Sequence, residues 1–255
     1  MHMILAIDVG NTNIVVGAFD NDVLTFSARM STDKNKLADE YAIDLKDIFA
    51  LYGMDRPVTG AIISCVVPQL SDTVRAAIRT AFKTEALVVG PGIKTGMNIR
   101  IDKASELGSD IVADAVAAYA AYPAPLLIFD MGTATTISVI DERAEILGVI
   151  IFPGVRTSLN ALTANAAQLL DVGVEAPPDI IGTNTIDSMK SGIVYGTASM
   201  IDGIIERMRE RLGRDMTVVA TGGHSARIAP YCKNKVIVNP NLLLEGLYKL
   251  YKKNS

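Results

Sequence analysis

Apolar runs of strand length alternate with longer segments that carry apolar residues at helical spacing. In the first half this pattern predicts three strands, a helix, a strand, a second helix and a short strand. The second half repeats the order, with a long helix over 185–212 and a terminal helix at its end. Two tandem units of this kind predict an α/β fold of duplicated ribonuclease-H-like domains, residues 1–123 and 124–255.

The first predicted strand ends in a polar turn with the chemistry of a phosphate-binding loop. Asp8 closes the apolar run, and Gly10 lets the backbone approach a ligand closely. Asn11, Thr12 and Asn13 add hydrogen-bond donors, and the carboxylate of Asp8 suits a hydrated Mg²⁺. Taken alone, the same residues fit an ordinary β-hairpin turn slightly better.

A second copy of this turn changes that balance. Asp130 again ends an apolar strand, Gly132 follows at the same spacing, and Thr133 takes the polar position. One such turn in each half indicates a duplicated domain whose turns face each other across a central cleft. A facing pair of this kind is suited to holding one nucleoside triphosphate.

These motifs, in this order, resemble the type III pantothenate kinase family of the acetate and sugar kinase, Hsp70 and actin superfamily. The resemblance covers nearly the whole chain. Its motifs include DVGNTN at 8–13, GSD at 108–110, DMGTATT at 130–136, GTNT at 182–185 and TGG at 221–223. It implies an actin-like ATPase fold with a central ATP cleft. It also implies ATP-dependent phosphorylation of pantothenate, the first step of coenzyme A biosynthesis.

The resemblance assigns roles to individual residues. Asp110 matches the general base that accepts the proton of the substrate hydroxyl, although alone it would be read as a helix cap. Asp8 would hold Mg²⁺ through water, and Asp130 matches a site for a monovalent cation, K⁺ or NH₄⁺. The implied ATP contacts are Asp8, Val9, Gly10, Asn11, Thr12, Asn13, Ile14, Val15, Thr133, Gly222 and Gly223. The implied substrate contacts are Gly108, Ser109, Asp110, Ile111 and, from the neighbouring subunit of a homodimer, Thr185.

Three apolar residues depart from the family pattern on the acceptor side. Ile111 stands where an arginine is usual, Ile101 where a tyrosine is frequent, and Phe152 where a small or polar residue is common. Loss of a guanidinium removes a bidentate partner for a polar substrate. Three alternatives stay open: neighbouring basic residues compensate, the enzyme phosphorylates a less polar hydroxyl compound, or the protein is a non-catalytic nucleotide-binding regulator.

Composition narrows the classes of partner. The net charge of −4 over 255 residues, with no basic stripe, argues against nucleic acid and membrane surfaces as partners. The two cysteines lack metal-ligand spacing, and the first residues lack the features of a signal peptide, so we expect a cytoplasmic protein. Methionines at helical spacing over 189–208 indicate either a core face or a dimer seam, and the length of the helix favours the seam.

Overall fold

The computed structural model describes residues 3–166 and 169–255. Within these residues the chain forms two compact units. Unit 1 comprises the residues up to Gly96 together with Asp102–Ala117 and Asn241–Ser255, and unit 2 comprises Met97–Ile101 and Ala118–Pro240. Each unit contains one β-sheet.

The sheet of unit 1 has the strand order β3-β2-β1-β4-β5, in which β1 is antiparallel to β2 and parallel to β4. Strand β1 is apolar on both faces and almost fully buried, as expected for a central strand covered on both sides. The elements are β1 Met3–Val9, β2 Asn13–Asp20, β3 Val23–Ser31, α1 Ala38–Leu51, β4 Val58–Cys65, α2 Pro68–Phe82 and β5 Ala86–Val88.

Two further helices complete unit 1. Helix α3 spans Ser109–Ala121, of which the residues up to Ala117 belong to this unit, and helix α7 spans Leu242–Asn254. The backbones of α3 and α7 approach closely at Gly246, where an added methyl group would lie 1.9 Å from the carbonyl oxygen of Ala113. This contact needs a glycine, and it fixes the body of α3 by packing.

Unit 2 repeats the strand arrangement with one added edge strand, in the order β11-β10-β7-β8-β9-β6. Its long helix α5 places Val194, Ala198, Ile201 and Ile205 in the core of the unit. The elements are β6 Asn98–Ile99, β7 Leu126–Met131, β8 Ala134–Ile140, β9 Glu145–Pro153, α4 Val155–Asn165, α5 Thr185–Leu212, β10 Thr217–Thr221, α6 Ser225–Ile228 and β11 Ile237–Val238.

The predicted α/β fold with a repeated strand order is confirmed, and α5 spans the predicted 185–212. The methionine face of α5 differs from the expected dimer seam: Met189 is buried, and Met200 and Met208 pack against the core of unit 2. The division at residue 123 also differs from the observed units, because α7 packs on β1 and β4. In the described part of the chain, no helix is both long and apolar enough to cross a membrane.

Candidate active site

The first polar turn joins β1 to β2 in unit 1. Gly10 N–H donates to the carbonyl of Asn13 at 3.1 Å, which closes the turn. Thr32, just after β3, supports it from outside: its N–H donates to Thr12 O at 3.0 Å and its hydroxyl to Gly10 O at 2.7 Å. The turn is therefore held by its own backbone and by the third strand.

The side chains of this turn face two ways. Asn11, Thr12 and Asn13 are exposed, whereas Val9 and Ile14 are completely buried in the core of unit 1. Any contact of Val9 or Ile14 with a ligand is thus limited to the backbone. Asp8 is half-buried at the end of β1, beside the turn.

The second turn, in unit 2, is similar but one residue shorter. Gly132 N–H donates to the carbonyl of Ala134, two residues ahead, at 3.1 Å, whereas Gly10 donates three residues ahead in the first turn. The carbonyl of Thr133 accepts the N–H of Gly154 at 3.1 Å and the hydroxyl of Thr157 at 2.7 Å. The first residues of α4 therefore lie against this turn, and the Thr133 side chain is exposed.

The glycine turn after β10 lies against Asp130. Gly222 has φ +84°, and a methyl group there would lie 2.5 Å from Oδ1 of Asp130 and 2.6 Å from the backbone of Met131. Gly222 lets the backbone after β10 pack closely against a half-buried carboxylate, whose oxygens are ligands that hard cations prefer. The structure thus brings Asp130 and Gly222 together, and Gly223 follows Gly222 in the chain.

Asp110 is the second residue of α3, in unit 1. Its Oδ1 accepts the N–H of Ile111 at 2.9 Å, and the side chain folds back so that a methyl group on residue 108 would lie 2.2 Å from Oδ1. Burial raises the pKa of the Asp110 carboxyl, and hydrogen bonds from the N–H groups of Ile111 and of Asp110 itself oppose the rise. A base with a raised pKa accepts a proton more readily than an ordinary carboxylate.

Asp110 and Asp8 both lie at the carboxyl ends of the central strands β1 and β4. Ser109 Oγ lies 2.9 Å from Ser64 Oγ and accepts the N–H of Cys65 at 3.2 Å. In the parallel pairing of β1 with β4, Ser64 is the partner of Asp8. Ser109, the residue before the candidate base, therefore contacts β4, which pairs with the strand that carries Asp8.

Thr185 is the first residue of α5 and is exposed. The helix cap is its neighbour Asn184, whose side chain accepts the N–H of Asp187 at 3.0 Å, so Thr185 itself is not the cap. A cavity of about 820 Å³ lies here in unit 2. Its lining is mixed apolar and polar and consists of Ser158, Leu162, Leu169, Gly182, Thr183, Asn184, Thr185, Ser188, Met189, Gly192 and Ile193.

The three departures from the family pattern lie in different surroundings. Ile111 is buried within unit 1, Ile101 is half-buried in unit 2, and Phe152 is exposed on β9 of unit 2. Phe152 is one of several large apolar side chains exposed among the described residues, and its neighbour Ile151 is more exposed.

Sequence reasoning missed the residues that support the two turns, Thr32 and Thr157, and the hydroxyl partner Ser64. Thr32 directly follows β3, whereas Thr157 is the third residue of α4. The two threonines stand at different distances from the third strand of their unit, so the repeat in the sequence gives no signal for them.

A metal site made of protein side chains alone is absent: among residues 3–166 and 169–255, no group of three or more His, Cys, Asp or Glu side chains is placed to hold an ion. The single carboxylate of Asp8 nevertheless fits Mg²⁺. This ion commonly keeps several waters and takes its other ligands from substrate phosphates.

Known proteins resemble this chain over its whole length. The model of the type III pantothenate kinase family matches residues 4–207. Type III pantothenate kinases from Brevibacillus brevis and Geotalea daltonii are 42% and 43% identical to it over 253 residues, covering 99% of each chain. A solved structure, the activator of the 2-hydroxyisocaproyl-CoA dehydratase from Clostridium difficile with bound ADPNP, has a TM-score of 0.56 at 13% identity. The match covers 98% of this chain and 93% of that one, and it confirms the predicted actin-like ATPase fold.

The contact between Gly222 and Asp130 predicts an unequal pair of substitutions. Gly222→Ala should lower the free energy of unfolding by about 1–3 kcal/mol more than Gly213→Ala, because it adds a steric clash to backbone strain. Gly213 is the matched control: its φ is +68°, and a methyl group there meets nothing within 4 Å. Urea unfolding of both variants measures the difference, and equal losses would mean that the methyl group is accommodated beside Asp130.

Proposed function

The chain belongs to the type III pantothenate kinase family, and we propose that Asp110 is the general base of its reaction. The enzyme is a phosphotransferase that uses ATP to phosphorylate pantothenate in coenzyme A biosynthesis. The observation that supports the role of Asp110 is its half-buried carboxylate at the start of α3, anchored to the end of the sheet that carries Asp8.

Asp110 would act on the primary hydroxyl of pantothenate. As the hydroxyl oxygen attacks the γ-phosphorus of ATP, the bond from that phosphorus to the β–γ bridging oxygen breaks and ADP leaves. The hydroxyl proton passes to the Asp110 carboxylate. The raised pKa of Asp110 favours this transfer, and positioning and charge stabilisation supply the rest of the rate enhancement.

The first turn would bind phosphate. The exposed side chains of Asn11, Thr12 and Asn13 present donors, and Gly10 leaves the backbone accessible. Asp8 would hold Mg²⁺ through water, and the ion when bound neutralises charge on the phosphates. The rigid bonding of the turn by Thr32 means that its donors need little reorganisation to receive a ligand.

The second turn would bind a monovalent cation, K⁺ or NH₄⁺, at Asp130. The half-buried carboxylate of Asp130, against which the glycine turn packs, supports this assignment. Thr133 and the glycines at 222 and 223 would contact the nucleotide. We propose that the reaction takes place in the cytoplasm.

A homodimer is proposed, but through a surface different from the methionine face. Five large apolar side chains near the cavity are exposed: Leu162, Leu170, Ile180, Ile181 and Ile186. Apolar residues grouped in this way commonly need a cover, and a second copy of the chain would supply one. Thr185 lies among them and would reach the partner's substrate from there.

Because Ile111 stands in place of the family's arginine, the acceptor pocket would bind pantothenate less tightly. Ile111 adjoins Asp110 and offers no charge to the substrate carboxylate. A kinase for a less polar hydroxyl compound is the second candidate, favoured by the apolar character of Ile111 and by the exposed ring of Phe152. The non-catalytic alternative is disfavoured by the presence of Asp8, Asp110 and Asp130.

Asp110→Asn should reduce kcat by at least about 10²-fold, since the amide is close in shape but cannot accept the proton. Thermal stability should be unchanged or higher, because burial disfavours the ionised carboxylate. In the wild type, kcat/KM should fall as the pH drops through an apparent pKa above the usual value of about 3.9. The variant should lack this acidic limb, and wild-type turnover by Asp110→Asn would remove the residue from the mechanism.

Ile181→Asp should convert the dimer to a monomer, because the substitution places a charge on the proposed interface. Leu51→Asp is the matched control: its side chain is 80% exposed on α1, against 76% for Ile181, and it lies in unit 1. Sedimentation at micromolar concentration measures both, with circular dichroism to show that each is folded. A monomeric wild type with full activity would contradict the proposal.

If its guanidinium reaches out of the buried position of Ile111, Ile111→Arg should lower the KM for pantothenate by about tenfold or more, the value of one charge-assisted hydrogen-bonded pair. Circular dichroism shows whether the arginine is tolerated at this buried position. Ile111→Gln controls for length and polarity without the charge. Steady-state kinetics with pantothenate and with uncharged hydroxyl analogues separates the two acceptor classes. An unchanged KM for the arginine variant would show that residue 111 does not face the substrate carboxylate.

A further inference from the structure

We propose that Ser109 is a positioning residue. Its hydroxyl bonds the first turn of α3 to the carboxyl end of β4 and thereby fixes the Asp110 carboxylate. Family resemblance had assigned Ser109 to direct contact with the substrate. The inference rests on the proposed role of Asp110 as base and adds a residue that acts through it.

The backbone of β4 explains why a hydroxyl is needed at this place. Val66 N–H donates to Val9 of β1 at 3.1 Å, so the preceding N–H, that of Cys65, points to the opposite side of the strand, towards β5. Strand β5 ends at Val88, and the last bond on that side runs from Val89 N–H to Ile63 O at 2.8 Å. Cys65 lies beyond the end of β5, and Ser109 Oγ accepts its N–H in the place that a carbonyl of a longer β5 would take.

The second partner of Ser109 strengthens the tie. Ser64 is completely buried, so its hydroxyl is shielded from water, and its Oγ lies 2.9 Å from that of Ser109. A buried hydroxyl that loses its partner bears the full cost of desolvation. The pair is therefore fixed more firmly than an exposed hydrogen bond of the same length.

The tie acts one residue from the reacting carboxylate. Asp110 follows Ser109, and its side chain is confined between Gly108 and the N–H of Ile111. The first turn of a helix lacks the intrahelical bonds that hold its interior, so it depends on such outside partners. A displacement of about 1 Å at a catalytic group commonly costs about 10² in rate.

The rest of α3 does not depend on Ser109. Its body packs on α7 at the contact between Gly246 and Ala113, and its residues 111–118 are buried. Loss of the hydroxyl therefore frees the first turn while leaving the helix in place. This separation allows the effect on Asp110 to be distinguished from a general effect on folding.

Ser109→Ala should lower kcat about tenfold or more and leave the KM values for ATP and pantothenate within about twofold, because only the base is displaced. The acidic limb of the pH profile should move to lower pH, since a loosened turn admits water beside Asp110 and removes part of the burial that raises its pKa. Ser109→Thr keeps the hydroxyl and should retain most of the rate. Ser64→Ala removes one of the two partners and should give an intermediate kcat.

Thr84→Ala is the matched control for stability. Thr84 is in unit 1, away from the proposed site, and its hydroxyl donates to Val58 O at 2.9 Å. We expect it to lower the melting temperature by an amount comparable to Ser109→Ala and to leave kcat and the pH profile unchanged. If Ser109→Ala does not fold, Ser64→Ala and Ser109→Thr carry the same comparison.

Three results would overturn the inference. A raised KM for pantothenate with unchanged kcat in Ser109→Ala would show direct substrate contact. Unchanged kinetics, or a loss of kcat in Thr84→Ala that matches the loss in Ser109→Ala, would show that the tie is not specific to Asp110. An active Asp110→Asn variant, in contrast, would refute the proposed base. Any effect of Ser109→Ala on kcat would then have a cause other than the position of Asp110.

Discussion

Where parallel strands end, backbone groups lose their partners, and unit 1 depends on how this loss is compensated at the carboxyl end of β4. A buried N–H group without a partner costs about as much as a lost hydrogen bond. The chain satisfies Cys65 N–H with Ser109, the residue before the proposed base. It supports the neighbouring turn with Thr32 in a similar way. The need to pair backbone groups at the carboxyl end of the sheet thus brings polar side chains to the place where the proposed chemistry occurs.

The two halves of the chain use similar turns for what we propose are different ligands. In both turns a glycine N–H closes the loop, and a threonine hydroxyl donates to a carbonyl of the turn at 2.7 Å. The surroundings differ. Exposed amides and hydroxyls follow Asp8, whereas the backbone of Gly222 packs against Asp130. A duplicated scaffold can diverge in this way because the side chains that meet the ligand are not the ones that hold the turn.

Much of this organisation could be predicted from the sequence, because apolar periodicity reports on elements and the repeated Asp-x-Gly pattern reports on duplication. The order of the elements along the chain and the bounds of α5 follow from those signals. The tie between Ser64 and Ser109 does not, since the two residues are 45 positions apart and a hydroxyl pair leaves no periodic trace. The sequence left the methionines of α5 as core or dimer seam for a related reason: periodicity shows that a helix has an apolar face but not which partner covers it.

The packing of α7 on unit 1 has a consequence for how the protein is made. Tyr248 donates to Asp22 at 2.6 Å across 226 positions, and Asn254 accepts the N–H of Lys94 at 2.9 Å across 160. A ribosome releases the strands of unit 1 first, yet the helix that covers β1 and β4 is translated last. The strands β1 and β4 of unit 1 therefore remain without the cover of α7 until unit 2 has been synthesised. The final closure of unit 1 joins residues of very high sequence separation, and contacts of this kind form slowly because the loop between them must be closed first.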